Sequence, residues 1–230
     1  ALLASTCVPD CVSTVTWTKT DSFASLRIFE RRRSAAAYRD WRENDRMTSA
    51  SALLPGFRWP VRCSRMIAAP QPEIWQVISS PGTLALYDPF CEKNPVVDWR
   101  GAHSQDEVHY FNGLILVRRF RSWYEDIGYD LEVGRSDGRT SIVAWRLTTS
   151  QVQRTLLRIT VFPDLVQHIP MVGRWLPHFF WLRPQLKRYL RSVLRGLEWF
   201  VIRGTPVRRN QFGSHRWFSP PNAAGRDGEK

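Results

Sequence analysis

The feature that most constrains the fold is a series of strand-like segments between residues 92 and 163, separated by very short turns. Asn112-Gly113, Asp126-Ile127-Gly128 and Ser136-Asp137-Gly138 are turn sequences typical of hairpins. Strands joined by so few residues must pair as antiparallel neighbours, because a parallel connection needs a much longer crossover. The predicted strands are residues 96–100, 107–111, 115–124, 129–135, 141–149 and 155–162.

A further strand and two short helices are predicted before this series. Residues 59–68 alternate between apolar and polar side chains, as a strand does. Pro70, Pro72 and Glu73 then begin a short helix, because proline and an acidic residue favour the first turn. Residues 83–87 are long enough for one more helical turn.

The strongest helical pattern lies near the C-terminus, at residues 184–203. Apolar side chains recur there at three- and four-residue spacing, and Lys187, Arg191 and Arg195 form a separate basic face. Gly204 follows, as is common where a helix ends. The apolar face consists of Leu186, Leu190, Val193, Leu197 and Val201.

One local motif accompanies this order of elements: residues 66–79 read MIAAPQPEIWQVIS. The motif resembles the opening strand and helix of the START-like (SRPBCC) superfamily of lipid-transfer, polyketide-cyclase and pollen-allergen proteins. Asp88-Pro89-Phe90 and Trp99-Arg100-Gly101 add to the likeness, which is greatest to the polyketide cyclase/dehydrase and lipid-transport group. The resemblance implies an α+β helix-grip fold. In this fold a curved antiparallel sheet of about seven strands is wrapped around a long C-terminal helix, with two short helices after the first strand.

The chain divides into three parts on this interpretation. Residues 58–203 form the START-like helix-grip domain, residues 1–57 a poorly ordered N-terminal extension, and residues 204–230 a C-terminal extension. Residues 164–183 and 206–220 depart from the common pattern of the superfamily.

A strongly bent sheet cannot pack its whole concave face against one helix, so the fold predicts an apolar cavity with a few polar groups. Strand alternation indicates which side chains point toward the helix. The predicted ligand-binding residues are Leu116, Arg118, Phe120, Tyr129, Leu131, Val143, Trp145, Leu147, Leu157, Ile159, Val161, Leu190, Val193 and Leu197.

Arg118 has two interpretations, because a buried arginine must be paired or ligated. It either anchors the carboxylate or phosphate of a ligand, or forms an internal ion pair. The expected partners of such a pair are Glu107, Asp88 and Glu125.

Two classes of function remain open. The first is a carrier or sensor that binds a hydrophobic small molecule or lipid without covalent chemistry. The second is a cyclase- or dehydratase-like enzyme in which His109 or Tyr110 acts with Arg118 as a general acid–base site. Asp88 is interpreted as a turn or cap residue and not as a base. No cofactor and no metal site is predicted, and no nucleophile–base motif stands out.

The aromatic segment before the last helix has three interpretations: a lid over the cavity, a contact with an anionic membrane surface, or ordinary core or dimer packing. Trp175, Phe179, Phe180 and Trp181 would make the membrane contact. The basic and aromatic residues 206–220 are expected to pack back onto the domain, and nucleic acid is not an expected partner.

The net charge of +12 comes mostly from arginine and is spread along the chain, so an anionic partner is compatible with the composition. No apolar run is long enough to span a bilayer. The four cysteines have no metal-ligand spacing and are expected to be free thiols. The expected location is the cytoplasm, with peripheral membrane attachment left open.

Overall fold

A single curved antiparallel sheet dominates the computed structural model, which describes residues 60–151, 153–164 and 178–219. Within these residues the sheet has eight strands, and the hairpin turns read from the sequence connect antiparallel neighbours as predicted. The strands are β1 (Val61–Ile67), β2 (Cys91–Lys93), β3 (Val96–Asp98), β4 (Gln105–Tyr110), β5 (Ile115–Tyr124), β6 (Gly128–Gly134), β7 (Thr140–Gln151) and β8 (Arg154–Phe162).

The strand order is β1-β8-β7-β6-β5-β4-β2, and β3 also pairs with β4. The first strand therefore lies beside the last, which brings the two ends of the domain together. The short strand β2 was not predicted, because its Glu92 and Lys93 are both exposed and hide any alternation. Strand β3 also ends two residues earlier than predicted, and a 3₁₀ turn at Gly101–His103 follows it.

Three helices complete the described fold: α1 (Gln71–Ser79), α2 (Leu84–Tyr87) and α3 (Arg183–Arg203). A π-helical turn, His178–Leu182, leads into α3. As predicted, α3 ends at Gly204, whose left-handed backbone (φ 65°) lets its N–H donate to the carbonyl of Phe200 at 2.8 Å. The fold is thus the predicted helix-grip arrangement.

Helix α3 packs closely on α2 at one small residue. A Cβ atom added to Gly196 would lie 1.9 Å from the carbonyl oxygen of Tyr87, so only glycine allows this approach. The apolar face of α3 is buried around this point, at Leu190, Val193 and Leu197. Burial of such a stripe provides most of the stability of an amphipathic helix.

Two irregularities in β5 and its hairpin decide which side chains face the helix. The β4–β5 connection has three residues, because Tyr110 N–H donates to the Leu114 carbonyl and Asp106 pairs with Arg118. A bulge between Phe120 and Ser122 then reverses the alternation of the strand.

Some predictions concern residues outside the described ranges, namely the extension at 1–57, Trp175, and most of the segment 164–183. The described helices include none with the length and apolar character that a bilayer crossing requires.

Candidate functional site

The predicted ligand-binding residues of β5 to β8 lie on one face of the sheet, and those of α3 pack in the same core. Their role in binding a ligand stays a prediction. Direct cross-strand partners share a face, and the register aligns Phe120, Leu131, Val143 and Val161 across four strands. The predicted residues on β5 to β8 and on α3 are all buried, except Leu116 and Val143, which are half-buried. The alternation argument therefore placed these side chains on the face that packs against α3.

Aromatic rings fill one end of this face. Tyr129 is fully buried and stacks on Trp123, with ring centroids 5.7 Å apart, and Phe120 meets it edge-on at 5.0 Å. The indole N–H groups of Trp75 and Trp123 both donate to the Glu125 carboxylate, at 3.0 and 3.2 Å. These contacts hold the aromatic wall in one arrangement.

The hydroxyl of Tyr129 is buried and forms no well-aligned hydrogen bond with a described residue, although the Tyr87 hydroxyl lies near enough to interact with it. Burial is also the main reason why the pKa of Tyr129 lies well above its usual value. An unpaired buried hydroxyl costs about 1–3 kcal/mol, so few are found in folded proteins. This hydroxyl is therefore a buried polar group to which a ligand could bind.

Arg118 forms an ion pair, but with a partner that was not predicted. Its Nε donates to Asp106 Oδ1 at 2.7 Å and its Nη2 donates to Asp106 Oδ2. The proposed partners Glu107, Asp88 and Glu125 were wrong, because the three-residue hairpin places Asp106 opposite Arg118. Burial alone would lower the pKa of Arg118, but the Asp106 carboxylate outweighs it and raises that pKa.

A second buried carboxylate, Asp88, lies within the electrostatic reach of Arg118 but is not paired with it. Its Oδ1 accepts from the backbone N–H of Phe90 at 2.9 Å, which is the predicted turn role. Its Oδ2 accepts from the hydroxyl of Tyr189 on α3 at 2.8 Å, and that hydroxyl lies 3.1 Å from the hydroxyl of Tyr110. Because Tyr189 gives its proton to ionised Asp88, Tyr110 must then donate to Tyr189.

This series of hydrogen bonds, the Asp88–Tyr189–Tyr110 chain, includes no cationic side chain. Burial raises the pKa of Asp88 to about 6, and the hydrogen bonds from Phe90 and Tyr189 offset only part of that shift. Burial likewise raises the pKa values of Tyr110 and Tyr189 above the usual tyrosine range. Asp88 is the group in this interior whose charge can change near neutral pH.

His109 lies on the opposite face of β4 from Tyr110. Its Nε2 is 2.8 Å from Glu107 Oε2, on the half-buried outer side of the strand. The predicted pairing of His109 with Arg118 is therefore not formed, because Arg118 points inward. Tyr110 does point inward, but its hydroxyl contacts Tyr189 and not Arg118.

Residues 206–219, which we call the C-terminal segment, pack back onto the domain as predicted. Phe218 and His215 are buried, and the Phe218 ring stacks on that of Tyr110 with centroids 4.4 Å apart. The segment therefore covers the Asp88–Tyr189–Tyr110 chain.

The π-helical turn before α3 presents an exposed aromatic surface. Phe179, Phe180 and Trp181 are exposed, with Phe180 at 75%. The Arg183 guanidinium lies 5.3 Å from the centre of the Phe179 ring, and the Trp181 ring is 5.2 Å from that of Trp217. We call Phe179, Phe180 and Trp181 the aromatic patch.

The described residues bring together no group of three His, Cys, Asp or Glu side chains able to hold a metal ion. No family model matches the sequence, and no curated protein sequence is significantly similar to it.

Several solved structures share the architecture. DynU16, a protein of the dynemicin biosynthetic locus, superposes with a TM-score of 0.50 and 18% identity over 65% of this chain. The match covers 49% of DynU16, so this chain spans about half the length of that protein. TTHA0849 from Thermus thermophilus gives 0.49 and 20% identity, covering 64% of this chain and 99% of that one. Ara h 8.0201 gives a TM-score of 0.48 and 11% identity, covering 63% of this chain and 97% of that one.

At these identities the similarity shows the fold and nothing finer. The strand order, the long C-terminal helix and the match to DynU16 agree: this chain has a helix-grip fold, with a curved antiparallel sheet closed by α3.

Proposed function

We propose that this chain is a START-like carrier that binds a neutral hydrophobic small molecule or lipid between the curved sheet and α3. The observation that carries the proposal is the buried Tyr129 hydroxyl, which forms no well-aligned hydrogen bond with a described residue and adjoins the apolar core. A hydroxyl or carbonyl group on a ligand would satisfy it and remove the cost of leaving it unpaired.

The state of Arg118 supports a neutral ligand at this position. The two oxygens of Asp106 already accept from two nitrogens of Arg118, so the pair has no net charge. A carboxylate or phosphate placed there would have to compete with Asp106 for the guanidinium. An anionic head group, which was one interpretation of Arg118, is therefore not part of the proposal.

Binding of a fluorescent apolar probe tests the Tyr129 contribution. N-phenyl-1-naphthylamine is titrated into the full chain, and a lipid extract of the host is used to displace it. We expect saturable binding of the probe. Tyr129→Phe should weaken the binding of the competing host molecule about 5- to 10-fold, which is the equivalent of one hydrogen bond.

Tyr124→Phe is the matched control, because Tyr124 is on the same hairpin but contacts Arg146 on the other face. It should bind as the wild type does. The proposal would be contradicted if the wild type showed no saturable binding. It would also be contradicted if the host molecule bound Tyr129→Phe and the wild type with equal affinity.

The aromatic patch supports a second function, docking to an anionic membrane surface. Three consecutive exposed aromatic side chains next to Arg183 form a surface of the kind that enters the headgroup region of a bilayer. Lys187 and Arg191 follow on α3, where Arg191 is exposed, so positive charge continues from the patch along the helix. A carrier that loads from membranes needs such a surface.

Vesicle flotation tests the docking. The wild type should bind vesicles of phosphatidylcholine with 30 mol% phosphatidylserine, and bind neutral vesicles less. Phe180→Glu should abolish binding, whereas Val97→Glu, a change at another exposed apolar residue far along the chain, should not. Equal flotation of Phe180→Glu and the wild type would exclude the patch as the docking surface.

A further inference from the structure

The C-terminal segment is fixed to the domain by hydrogen bonds at both of its ends. Val207 N–H donates to the Leu86 carbonyl and Asn210 N–H to the Pro89 carbonyl, both at 2.9 Å. Near the other end, the side-chain amide of Asn112 donates to the Trp217 carbonyl at 2.5 Å. The segment thus spans from α2 to the β4–β5 hairpin and crosses over the interior between them.

Phe218 fills the space beneath the segment. Its ring centroid is 4.4 Å from that of Tyr110, 4.6 Å from that of Tyr189 and 5.1 Å from that of His215. Phe218 is 7% exposed. The two tyrosine hydroxyl groups in this contact belong to the Asp88–Tyr189–Tyr110 chain, so the segment separates that chain from solvent.

The hydrogen bonds of His215 specify its protonation state. Its Nδ1 accepts from the backbone N–H of Trp217 at 3.2 Å, and its Nε2 lies 3.0 Å from the carbonyl oxygen of Gln185 on α3. Only the neutral ring with its proton on Nε2 satisfies both contacts. A proton on Nδ1 would point at the Trp217 N–H and break that bond.

The surroundings of His215 disfavour its charged form. From α3, Arg188 faces it with a positive charge, alongside the neutral Gln185 and Tyr189. The loop after α2 places the Phe90 ring against His215. The Asp88 carboxylate of the same loop bonds to Tyr189 and not to His215. Within the segment, the charged residues are Arg208, Arg209 and Arg216, all cations, and Arg216 directly follows His215 with its side chain exposed. Burial lowers the pKa of His215 below its usual value; the hydrogen bond to the Gln185 carbonyl offsets part of this, and the charge of Arg188 adds a smaller lowering.

We propose that the C-terminal segment is a latch that closes the interior at the Asp88–Tyr189–Tyr110 end and that holds only while His215 is neutral. Protonation of His215 on acidification removes the Trp217 hydrogen bond and places a second positive charge near Arg188. The segment then detaches with Phe218 and opens a route for a ligand to the tyrosine hydroxyls. The role of this route rests on the carrier function proposed above, but the latch itself does not.

The sign of the effect follows from linkage. Because the pKa of His215 is lower in the closed state than when the segment is detached, closure is strongest above about pH 6.5, the ordinary histidine pKa, and weakens as pH falls below it. If His215 stays neutral when closed, the closing equilibrium constant falls about 30-fold by pH 5.0.

Hydrogen exchange of the full chain, measured by mass spectrometry on the peptide covering residues 206–219, tests the latch directly. After correction for intrinsic exchange rates, wild-type protection should fall up to about 30-fold between pH 7.5 and pH 5.0. His215→Gln should lose this pH dependence, whatever its protection at pH 7.5. His103→Gln, a change at an exposed histidine in the 3₁₀ turn, should behave as the wild type.

Wild-type protection that is equal at the two pH values would overturn the latch, as would a pH-dependent loss that persists in His215→Gln. The association rate of N-phenyl-1-naphthylamine is a second measurement, and it should rise at pH 5.0 in the wild type and in His103→Gln only. A pH-dependent latch without any probe binding would contradict the carrier function and leave the latch standing.

Discussion

Asp106 and Asp88 are the two carboxylates that this fold buries most completely on its inner side, at 0% and 1% exposure. Asp106 faces a guanidinium that donates to both of its oxygens, whereas Asp88 receives hydrogen bonds only from the neutral Phe90 N–H and Tyr189 hydroxyl. A full positive charge compensates the buried carboxylate in the first case. In the second, neutral donors do not, and burial raises the pKa of Asp88 to about 6.

The difference teaches that one buried carboxylate is electrostatically fixed and the other is not. The Arg118–Asp106 pair holds strands β4 and β5 in register and presents no net charge to a ligand. The Asp88–Tyr189–Tyr110 chain can reverse its hydrogen bonds when Asp88 is protonated, since Tyr110 is then free to donate elsewhere. The C-terminal segment covers this chain of hydrogen bonds.

The largest effect is expected at the Arg118–Asp106 pair. Asp106→Asn leaves Arg118 buried without a counter-charge and should lower the free energy of unfolding by about 3–5 kcal/mol. Urea unfolding at pH 7.5 measures it. The double variant Asp106→Leu with Arg118→Met removes both charges and should cost much less. A loss below about 1 kcal/mol for Asp106→Asn would mean that the pair is not compensated as described.

In the Asp88–Tyr189–Tyr110 chain, Asp88→Asn should alter the pH dependence of stability. Because the pKa of Asp88 is higher when folded than its ordinary 3.8, this residue binds protons more readily in the folded state. Its unfavourable contribution therefore grows as pH rises from about 4 and is complete above about pH 6. Each pKa unit corresponds to about 1.4 kcal/mol, so the shift amounts to about 3 kcal/mol.

Asp88→Asn should remove that contribution, and its stability relative to the parent protein should increase from pH 4.5 to pH 7.5. The contribution of His215 to stability increases with pH, which is opposite to that of Asp88. Both proteins should therefore carry His215→Gln when they are compared by denaturant unfolding. Asparagine can still accept from the Phe90 N–H. A relative stability that is independent of pH would show that Asp88 is ionised as easily in the folded chain as in the unfolded one.

A smaller effect is expected when the neutral donor is removed. Tyr189→Phe deletes the hydrogen bonds to Asp88 and Tyr110 and should cost about 1–2 kcal/mol. It should also raise the pKa of Asp88 further, because that carboxylate loses a donor. The pH profile of unfolding measures both changes. Tyr124→Phe is the control for loss of a tyrosine hydroxyl away from this chain.

The smallest effect on stability is expected from Tyr129→Phe. The hydroxyl that it removes forms no well-aligned hydrogen bond with a described residue, so the free energy of unfolding of the ligand-free chain should change by less than about 0.5 kcal/mol or increase. Thermal unfolding of delipidated protein measures it. A loss as large as that of Tyr189→Phe would indicate that the Tyr129 hydroxyl is bonded within the protein.

Much of the architecture could be predicted from the sequence because it depends on local patterns. Turn residues fixed the order of antiparallel strands, and the Leu190, Val193 and Leu197 stripe identified α3 and its buried face. Gly204 ended the helix as predicted. These features depend on residues close together in the chain, so single-sequence patterns are sufficient.

The polar contacts depended on one-residue details that the patterns do not encode. A two-residue turn at Asn112-Gly113 would have placed Glu107 opposite Arg118, but the observed three-residue connection places Asp106 there. The bulge after Phe120 likewise turns Trp123 inward, where simple alternation would have placed Ser122. A shift of one residue moves a side chain to the other face, so register decides these contacts.

The Asp88–Tyr189 contact was missed for a different reason. Its two residues are 101 positions apart, and Tyr189 is one half-buried aromatic on a helix whose obvious stripe is aliphatic. Only the packing of α3 on α2, which Gly196 permits, brings them together. The one local signal was the Asp88-Pro89-Phe90 turn, which correctly indicated the contact with the Phe90 N–H.

Native mass spectrometry of the full chain purified from its own host tests the central claim most directly. If the space between the sheet and α3 holds a neutral hydrophobic guest, gentle ionisation should show a non-covalent small molecule that denaturation releases, and Tyr129→Phe should retain less of it than Tyr124→Phe. A spectrum containing only the unliganded chain, unchanged after incubation with host lipid extract, would contradict the account.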